Sequence, residues 1–539
     1  MSPAVRVCLL AALLVIGCDG GDGGVGSDVD ATASDVDAGS SPDGALACGT
    51  PAECAAYWEQ RAADRLDAIL GDPTALTTFL RDVPKGGDLH NHLSGAVYAE
   101  TYLEWARDDA DCINTSTHTA VYASQCSTST QPVPVSGAFY DQIVRAWSMQ
   151  DFVAGAQTGR DHFFATFSKF GAVAGAHRND SIADVARRAA DENQVYVETM
   201  FNLGTNVGSL AASVWSGTLT ATDLPTFYSQ LKANAQFATR LTSDLNAVTS
   251  AGSGYRTALG CADANPPPAC DVVVRFTAQV SRTGANDQIF GQLVSAFEMG
   301  AMSPQIVGVN LSSPEDNTSA LNNYELHMAM LDFLYQTYTV TALSPMRVSL
   351  HAGELVPSIL PPGSTANTFH IRRAVEVAHA SRIGHGVDIL SETNSAELLG
   401  TMRDRGVLVE VCLSSNDQIL EVSGASHPLA QYLASGVPVA LATDDQGVSR
   451  SSMAGEYRLA IEDQQLRYRQ LKAIARNSLE HAFLPGTSLW SSLGSAQPVA
   501  TCPLWETPSS ACQQLLDASA RAHAQWDLEQ RFLTFERAQ

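Results

Sequence analysis

The sequence is short of positive charge. Lys and Arg number 32 against 57 Asp and Glu, a formal net charge of -25 over 539 residues, and no run of basic residues occurs. Nucleic-acid binding rests on cations that neutralise phosphates, so no nucleic-acid partner is expected, and no direct attraction to an anionic membrane surface. Nucleotide fingerprints are missing as well. No G-x-G-x-x-G follows a β-rich run and no P-loop is present, which argues against an open doubly wound sheet. No C-x-x-C occurs, so a thiolate zinc cluster is disfavoured. No internal repeat stands out. What remains is an ordinary globular composition, 45% hydrophobic with 40 Gly and 23 Pro, neither disordered nor fibrous.

The first residues read as a processing signal. Arg6 supplies a positive start, Val7 to Ile16 is an apolar run too short to span a bilayer, and Val15-Ile16-Gly17-Cys18 reads as a cleavage site. Small residues before a cysteine resemble a bacterial lipobox, which implies removal of residues 1–17 and a diacylglyceryl group on Cys18. Ordinary secretion is the alternative. Asp19 to Ala45 carries seven Asp and almost no large apolar side chain, so it is expected to be a flexible tether. The chain is therefore expected to be exported, held at a periplasmic face or cell surface only by a lipid on Cys18.

The eleven cysteines suit an oxidising compartment. Eight fall into close neighbours, Cys48 with Cys54, Cys112 with Cys126, Cys261 with Cys270 and Cys502 with Cys512. Four locally closed loops are the simplest pairing, although eight cysteines allow 105. Cys412 lies in the apolar run Val407 to Leu413 and reads as a buried small hydrophobe.

Eight short β-rich runs recur, separated by stretches long enough for helices. They begin at Gly87, Val195, Val272, Ile306, Arg347, Arg382, Val407 and Pro438. Apolar strands alternating with helical segments such as Ile182 to Asp191, Asn323 to Tyr335 and Ile371 to Ala380 predict a covered parallel sheet. Eight repeats predict a closed (β/α)8 barrel of the TIM type, an α/β fold. The expected boundaries are a signal at 1–17, a tether at 18–46, an N-terminal helical arm at 47–85, a barrel at 86–490 and a C-terminal helical extension at 491–539. A disulfide-bearing insertion is expected at about 108–137, after the first strand. Ala251 to Cys270, with its three consecutive prolines, reads as a surface loop, and Ala511 to Phe532 as one last helix.

Polar residues collect where these strands end. His90 and His92 are two apart, so both point to one side of the first strand. His351 ends the fifth strand with Glu354 three residues on, His385 ends the sixth, and Asp444-Asp445 ends the eighth. In a barrel these ends face one another across the mouth. These are the residue types a mononuclear zinc site needs.

In order along the chain, Pro84-Lys85-Gly86-Gly87-Asp88-Leu89-His90-Asn91-His92-Leu93-Ser94-Gly95-Ala96, Val307 to Leu311, Leu350-His351-Ala352-Gly353-Glu354, Arg382-Ile383-Gly384-His385-Gly386, Val409 to Asn416, His427-Pro428 and Thr443-Asp444-Asp445 resemble the adenosine deaminase family of the metal-dependent amidohydrolases. Export and a disulfide-bearing insertion are most similar to its extracellular, growth-factor-type branch. The resemblance implies zinc held by His90, His92, His351 and Asp444, and Glu354 as proton donor to purine N1. It also implies that His385 and Asp445 orient the attacking water and take its proton. Ser94 stands where many relatives carry Asp near the ribose hydroxyls, and Ser313 where they carry Gly near purine N3, so these two, with Asp445, are the expected substrate contacts.

The expected reaction is hydrolytic deamination of adenosine or 2'-deoxyadenosine to inosine or deoxyinosine plus ammonia. Another purine or modified nucleoside, or a non-catalytic nucleoside-binding lipoprotein, are the alternatives. The H-x-E and P-C-x-x-C pair of cytidine-deaminase-type zinc sites is absent. The motif segments carry few cations beyond Lys85 and Arg382, which favours a free nucleoside over a nucleotide. The aromatic run Phe163, Phe164, Phe167 and Phe170 could wall the pocket, but its helical spacing reads more readily as core. His162, Glu198 and His427 read as structural.

Overall fold

A computed structural model describes residues 50–539 apart from 493, 495, 505 and 506. The predicted signal, tether, lipidation site Cys18 and Cys48 lie outside the described residues.

Eight parallel strands form one sheet whose neighbours follow sequence order. They are β1 (Gly86–His92), β2 (Gln194–Asn202), β3 (Val273–Ser281), β4 (Ile306–Ser312), β5 (Arg347–Ala352), β6 (Arg382–His385), β7 (Leu408–Val411) and β8 (Val439–Leu441). Every predicted strand is present. β1, β4, β6, β7 and β8 are buried along their whole length, as expected where side chains fill the barrel on one face and meet helices on the other. The ring closes just past β8. Asn91 bridges to Asp444, whose N–H donates to the His90 carbonyl at 2.8 Å while the His92 N–H donates to the Asp444 carbonyl at 3.0 Å. Ladder bonds leave no free edge at the mouth, and they fix two backbone segments that carry candidate site residues.

The added pieces pack together on the outside. Helix Pro51–Ile69 and helix Pro73–Asp82 begin at the capping side chains of Thr50 and Asp72. Phe79 meets Phe535 of the last helix edge-on at 5.1 Å, and Lys472, on the helix that follows the barrel, donates to Glu59 at 2.9 Å and Glu536 at 2.6 Å. Among the described residues no helix is long and apolar enough to cross a membrane.

The region after β1 folds as a small antiparallel sheet, Cys112–Asn114 between Ala120–Val121 and Thr130–Pro132, closed by the Cys112–Cys126 disulfide. Cys261–Cys270 and Cys502–Cys512 are also bonded. Cys54 is disulfide-bonded, and Cys412 is free and buried. Crosslinks over loops this short each stabilise by about 3 kcal/mol in the chain-entropy picture.

Two expectations are corrected. The 251–270 segment is not all loop, because helix Phe237–Leu259 runs through its first half. Gly252 and Gly254 are there for close packing: a Cβ on Gly252 would press on Gln305 at 3.1 Å, and one on Gly254 would collide with Asn179. The last helix is two, Ser510–Ala518 and Ala520–Ala538, broken at Ser519. The Ser519 hydroxyl accepts the Ala522 N–H at 3.0 Å and donates to the Thr487 carbonyl at 2.6 Å.

Candidate active site

Alternation along β1 turns His90 and His92 into the barrel mouth, with Asn91 between them donating to Thr443 at 3.3 Å and accepting from Thr199 at 2.8 Å. His351 comes from β5, and Asp444 from the closure past β8. The Nε2 atom of His351 lies 3.1 Å from that of His90 and 3.0 Å from that of His92. Asp444 Oδ1 lies 3.6 and 3.4 Å from the same two His90 and His92 atoms. The four donor atoms are within 4.8 Å of one another.

The outer nitrogens decide what these inner ones are. His90 Nδ1–H donates to Glu410 Oε2 at 2.7 Å, His92 Nδ1–H to Gln279 Oε1 at 3.1 Å, and His351 Nδ1–H to Asn310 Oδ1 at 2.7 Å. Asn310 Oδ1 also accepts the His351 backbone N–H at 3.2 Å, which fixes the amide's orientation. Burial pushes the Glu410 carboxyl up, but the Arg382 charge and the bonds from His90 and Ser349 outweigh it and hold it below the usual range. It is therefore an acceptor. Each ring spends its proton outward, so three bare Nε2 lone pairs and a carboxylate converge with no donor among them. A cation satisfies that arrangement, and the acceptors behind each ring are the partners that orient metal-bound histidines. His90, His385, Cys412 and Asp444 form an overlapping group. It fits a metal less well, because burial first and the surrounding carboxylates second push the Cys412 thiol far up and keep it protonated.

A cavity of about 350 Å³ opens beside the three histidines. Glu354, Asp445 and His385 line it together with Ser94, Ser313 and Gln279. Burial, reinforced by the negative charges of Asp444 and Glu315, raises the Glu354 carboxyl well above the ordinary range and favours its protonated form, and burial beside Asp444 and Glu354 raises Asp445 in the same direction. The Glu354 backbone is pinned. Glu315 accepts the Glu354 N–H at 2.9 Å and the Gly353 N–H at 3.3 Å, and itself pairs with His370 at 2.6 Å. Gly95 packs so closely on the Asp445 carboxylate that any side chain there would strike it. Ser313, His385 and Asp444 all hold left-handed backbone, with φ of 80°, 65° and 54°. Such conformations cost about 1–3 kcal/mol each and cluster at functional sites.

Residues 261–489 match the family described as adenosine deaminase. This stretch, 229 of the chain's 539 residues, is similar to the adenosine deaminase family. The matched stretch holds β3 to β8, and β1 with His90 and His92 precedes it. An adenine deaminase of Rhizobium leguminosarum bv. trifolii is 28% identical over 248 residues, 44% of this chain and 69% of that protein. An adenosine deaminase of Serratia proteamaculans is 32% identical over 140 residues, 26% of this chain and 38% of that one. The crystal structure of adenine deaminase from Arthrobacter aurescens superposes on 84% of this chain and all of its own at 16% identity, with a TM-score of 0.48. The family is metal-dependent, and the four-donor cluster gives this adenosine deaminase relative a place for the ion.

Every predicted site residue within the described part reaches one place: His90, His92, His351 and Asp444 form the donor cluster, and Glu354, His385, Asp445, Ser94 and Ser313 the adjoining cavity. The Ser313 hydroxyl pairs with that of Ser281 at 2.8 Å. Phe163, Phe164 and Phe167 line the cavity while packing with Phe170 in the adjoining core, so both readings of the run hold, and Phe170 itself stacks on Tyr102 in the interior at 5.2 Å. Neither cation of the motif segments is at the mouth. Lys85 donates to the carbonyls of Val83 and Glu192 at 2.9 and 2.8 Å, and Arg382 lies under the site between Glu198 and Glu410. No Lys or Arg lines the cavity among the described residues. Glu410, Asn310, Gln279 and Asn416 were not assigned roles from the sequence. A carboxylate inside the apolar run Val407 to Leu413 was a legible signal for Glu410, since a lone buried charge needs partners. Gln279 gave none.

Proposed function

We propose that the protein is a zinc-dependent deaminase of adenosine or 2'-deoxyadenosine, releasing ammonia and the 6-oxo nucleoside. The observation that carries this reading is the pairing of three outward-protonated histidines with the buried carboxyl of Glu354, whose proton affinity is raised, at one cavity. Three imidazoles and one carboxylate suit zinc, one ion per chain. When bound, the ion supplies the Lewis acidity that makes water a nucleophile near neutral pH.

The chain's own groups do the rest. Glu354 donates its proton to purine N1, which makes C6 electrophilic. His385 and Asp445 flank the attacking water and orient it for removal of its proton. Phe163, Phe164 and Phe167 exclude bulk water on one side, and Ser94 and Ser313 supply polar contacts to the sugar and the purine edge. A cavity without a cation supports an uncharged nucleoside rather than a nucleotide. Export, with attachment through a lipid on Cys18, belongs to the same proposal. It rests on the sequence around Cys18 and agrees with the disulfides, which persist in oxidising compartments.

The test is a panel of adenosine, 2'-deoxyadenosine, adenine, N6-methyladenosine and AMP offered to the zinc-loaded chain, with ammonia release and purine absorbance as readouts. Turnover of the two adenine nucleosides supports the proposal. Consumption of adenine alone moves the substrate to the free base, for which Ser94 in the sugar-contact position is the supporting feature. A zinc-loaded chain that leaves all five untouched overturns it.

A further inference from the structure

His427 lies outside the cavity and is buried, 3% exposed. Its bonds nevertheless reach the site with a fixed direction. The Leu429 backbone N–H donates to His427 Nδ1 at 3.2 Å. A peptide N–H can only donate, so His427 Nδ1 is an acceptor and the proton of the neutral ring sits on Nε2. That Nε2–H donates to Asn416 Oδ1 at 3.1 Å. The Asn416 amide is thereby oriented, and its Nδ2–H donates to His385 Nδ1 at 3.0 Å. His385 Nδ1 is therefore a lone pair and cannot carry a proton, because a proton there would point at an NH₂ group. Burial lowers His427 to about 4, which keeps the first ring of the chain neutral.

We propose that His427 and Asn416 are positioning residues that hold His385 as the Nε2–H tautomer, so that His385 donates a hydrogen bond to the attacking water and Asp445 alone takes that water's proton. The inference rests on the deaminase reading for its chemistry, and on hydrogen-bond directions alone for the tautomer. His385 Nε2 lies on the cavity side, 3.8 Å from Glu354 Oε1. In the reaction the C6–O bond forms as one water O–H breaks and its proton passes to Asp445. The C6–N6 bond then breaks with that proton leaving in ammonia. The remaining hydroxyl proton returns to Glu354, replacing the one given to N1. His385 neither gains nor loses a proton in this sequence; it stabilises charge on oxygen.

The decisive measurement uses the full zinc-loaded chain with ¹⁵N-labelled histidine and long-range ¹H–¹⁵N correlation, the His385 signals being those lost in His385→Gln. A pyrrole-type Nε2 with a pyridine-type Nδ1 is expected, and the reverse pattern overturns the proposal whether or not any purine is turned over. Asn416→Asp supplies the kinetic arm. A carboxylate can only accept, so it forces the proton onto His385 Nδ1 and leaves Nε2 bare. With zinc content retained, kcat should fall about 100-fold with little change in KM, the scale of misplacing one catalytic proton. Retained or raised kcat would make His385 the proton acceptor and overturn the assignment. If Asn416→Asp does not fold, His427 decides. His427→Gln, whose amide N–H can still donate to Asn416, should stay near the parent kcat, whereas His427→Ala should lower kcat and mix the two His385 tautomers in the spectrum. Equal kinetics and an unmixed spectrum in both His427 variants would overturn the relay. Failure of the deaminase reading would instead appear as no turnover of any purine by the parent chain with the expected tautomer in place.

Discussion

The mouth and the lower interior of the barrel both bury polar groups, but in opposite ways. In the lower interior the charges are closed off. Arg382 pairs with Glu198 at 2.5 Å and Glu410 at 2.6 Å and lies on the Phe483 ring at 3.6 Å, while Glu198 also accepts from the Tyr196 hydroxyl and the Phe483 N–H. At the mouth three Nε2 lone pairs and Asp444 are left facing one another without a proton. Glu410 belongs to both. One oxygen meets Arg382 and the other accepts from His90 Nδ1, with Ser349 donating to both. A finished electrostatic layer thus holds an unfinished one in register, and the unfinished layer has capacity left for an ion and a substrate.

Substitutions can break that contrast from either side. The largest effect is expected at the mouth, where Glu354→Gln should lower kcat by about 1000-fold or more through loss of the proposed N1 proton donor, with zinc content unchanged. Ammonia release beside metal analysis checks it. Glu410→Gln strikes the link. It should weaken zinc binding about 10–100-fold, read by competition with a chromophoric chelator. It should also destabilise the fold by about 3 kcal/mol, read by urea unfolding, because Arg382 loses one of its two counterions. Glu198→Gln sharpens the comparison, with a similar loss of stability and zinc affinity within about twofold of the parent, since no metal-facing ring depends on it. Stripping the ion with a chelator should lower Tm and abolish turnover, both restored by zinc, and an ion present at 1000 times its Kd contributes about 4 kcal/mol. Phe164→Ala should have the smallest effect, a KM raised about threefold with kcat nearly unchanged, because an apolar wall binds substrate and transition state alike.

The eight strands were legible because burial on both faces writes itself as short apolar runs, and the donor residues because they interrupt those runs at their ends. The helix through Gly252 and Gly254 was not, since the three prolines at 266–268 mark the 251–270 segment as loop, whereas its first half is helix with those glycines set close against Gln305 and Asn179. The same limit hid the cavity wall. Phe163, Phe164 and Phe167 have the spacing of a core face, and only the path of the chain after the Cys112–Cys126 sheet brings that helix to the mouth. Asn310, Glu410 and Asn416 sat inside recognisable motifs, but their work lies in hydrogen-bond direction, which spacing does not carry. Gln279 is set opposite His92 by strand order alone.

The barrel's seam has one more consequence. Its closing bridge joins Asn91 to Asp444, and the metal-facing donors lie on both sides of it, His90 and His92 on the first strand and Asp444 beyond the last. An ion held there acts as a crosslink between segments separated by most of the sequence, the kind of tie that removes the most freedom from an unfolded chain. In the unloaded protein this seam should be where the ring first opens, and faster amide exchange at His92 and Asp444 than in the middle of β2 and β3 would mark it.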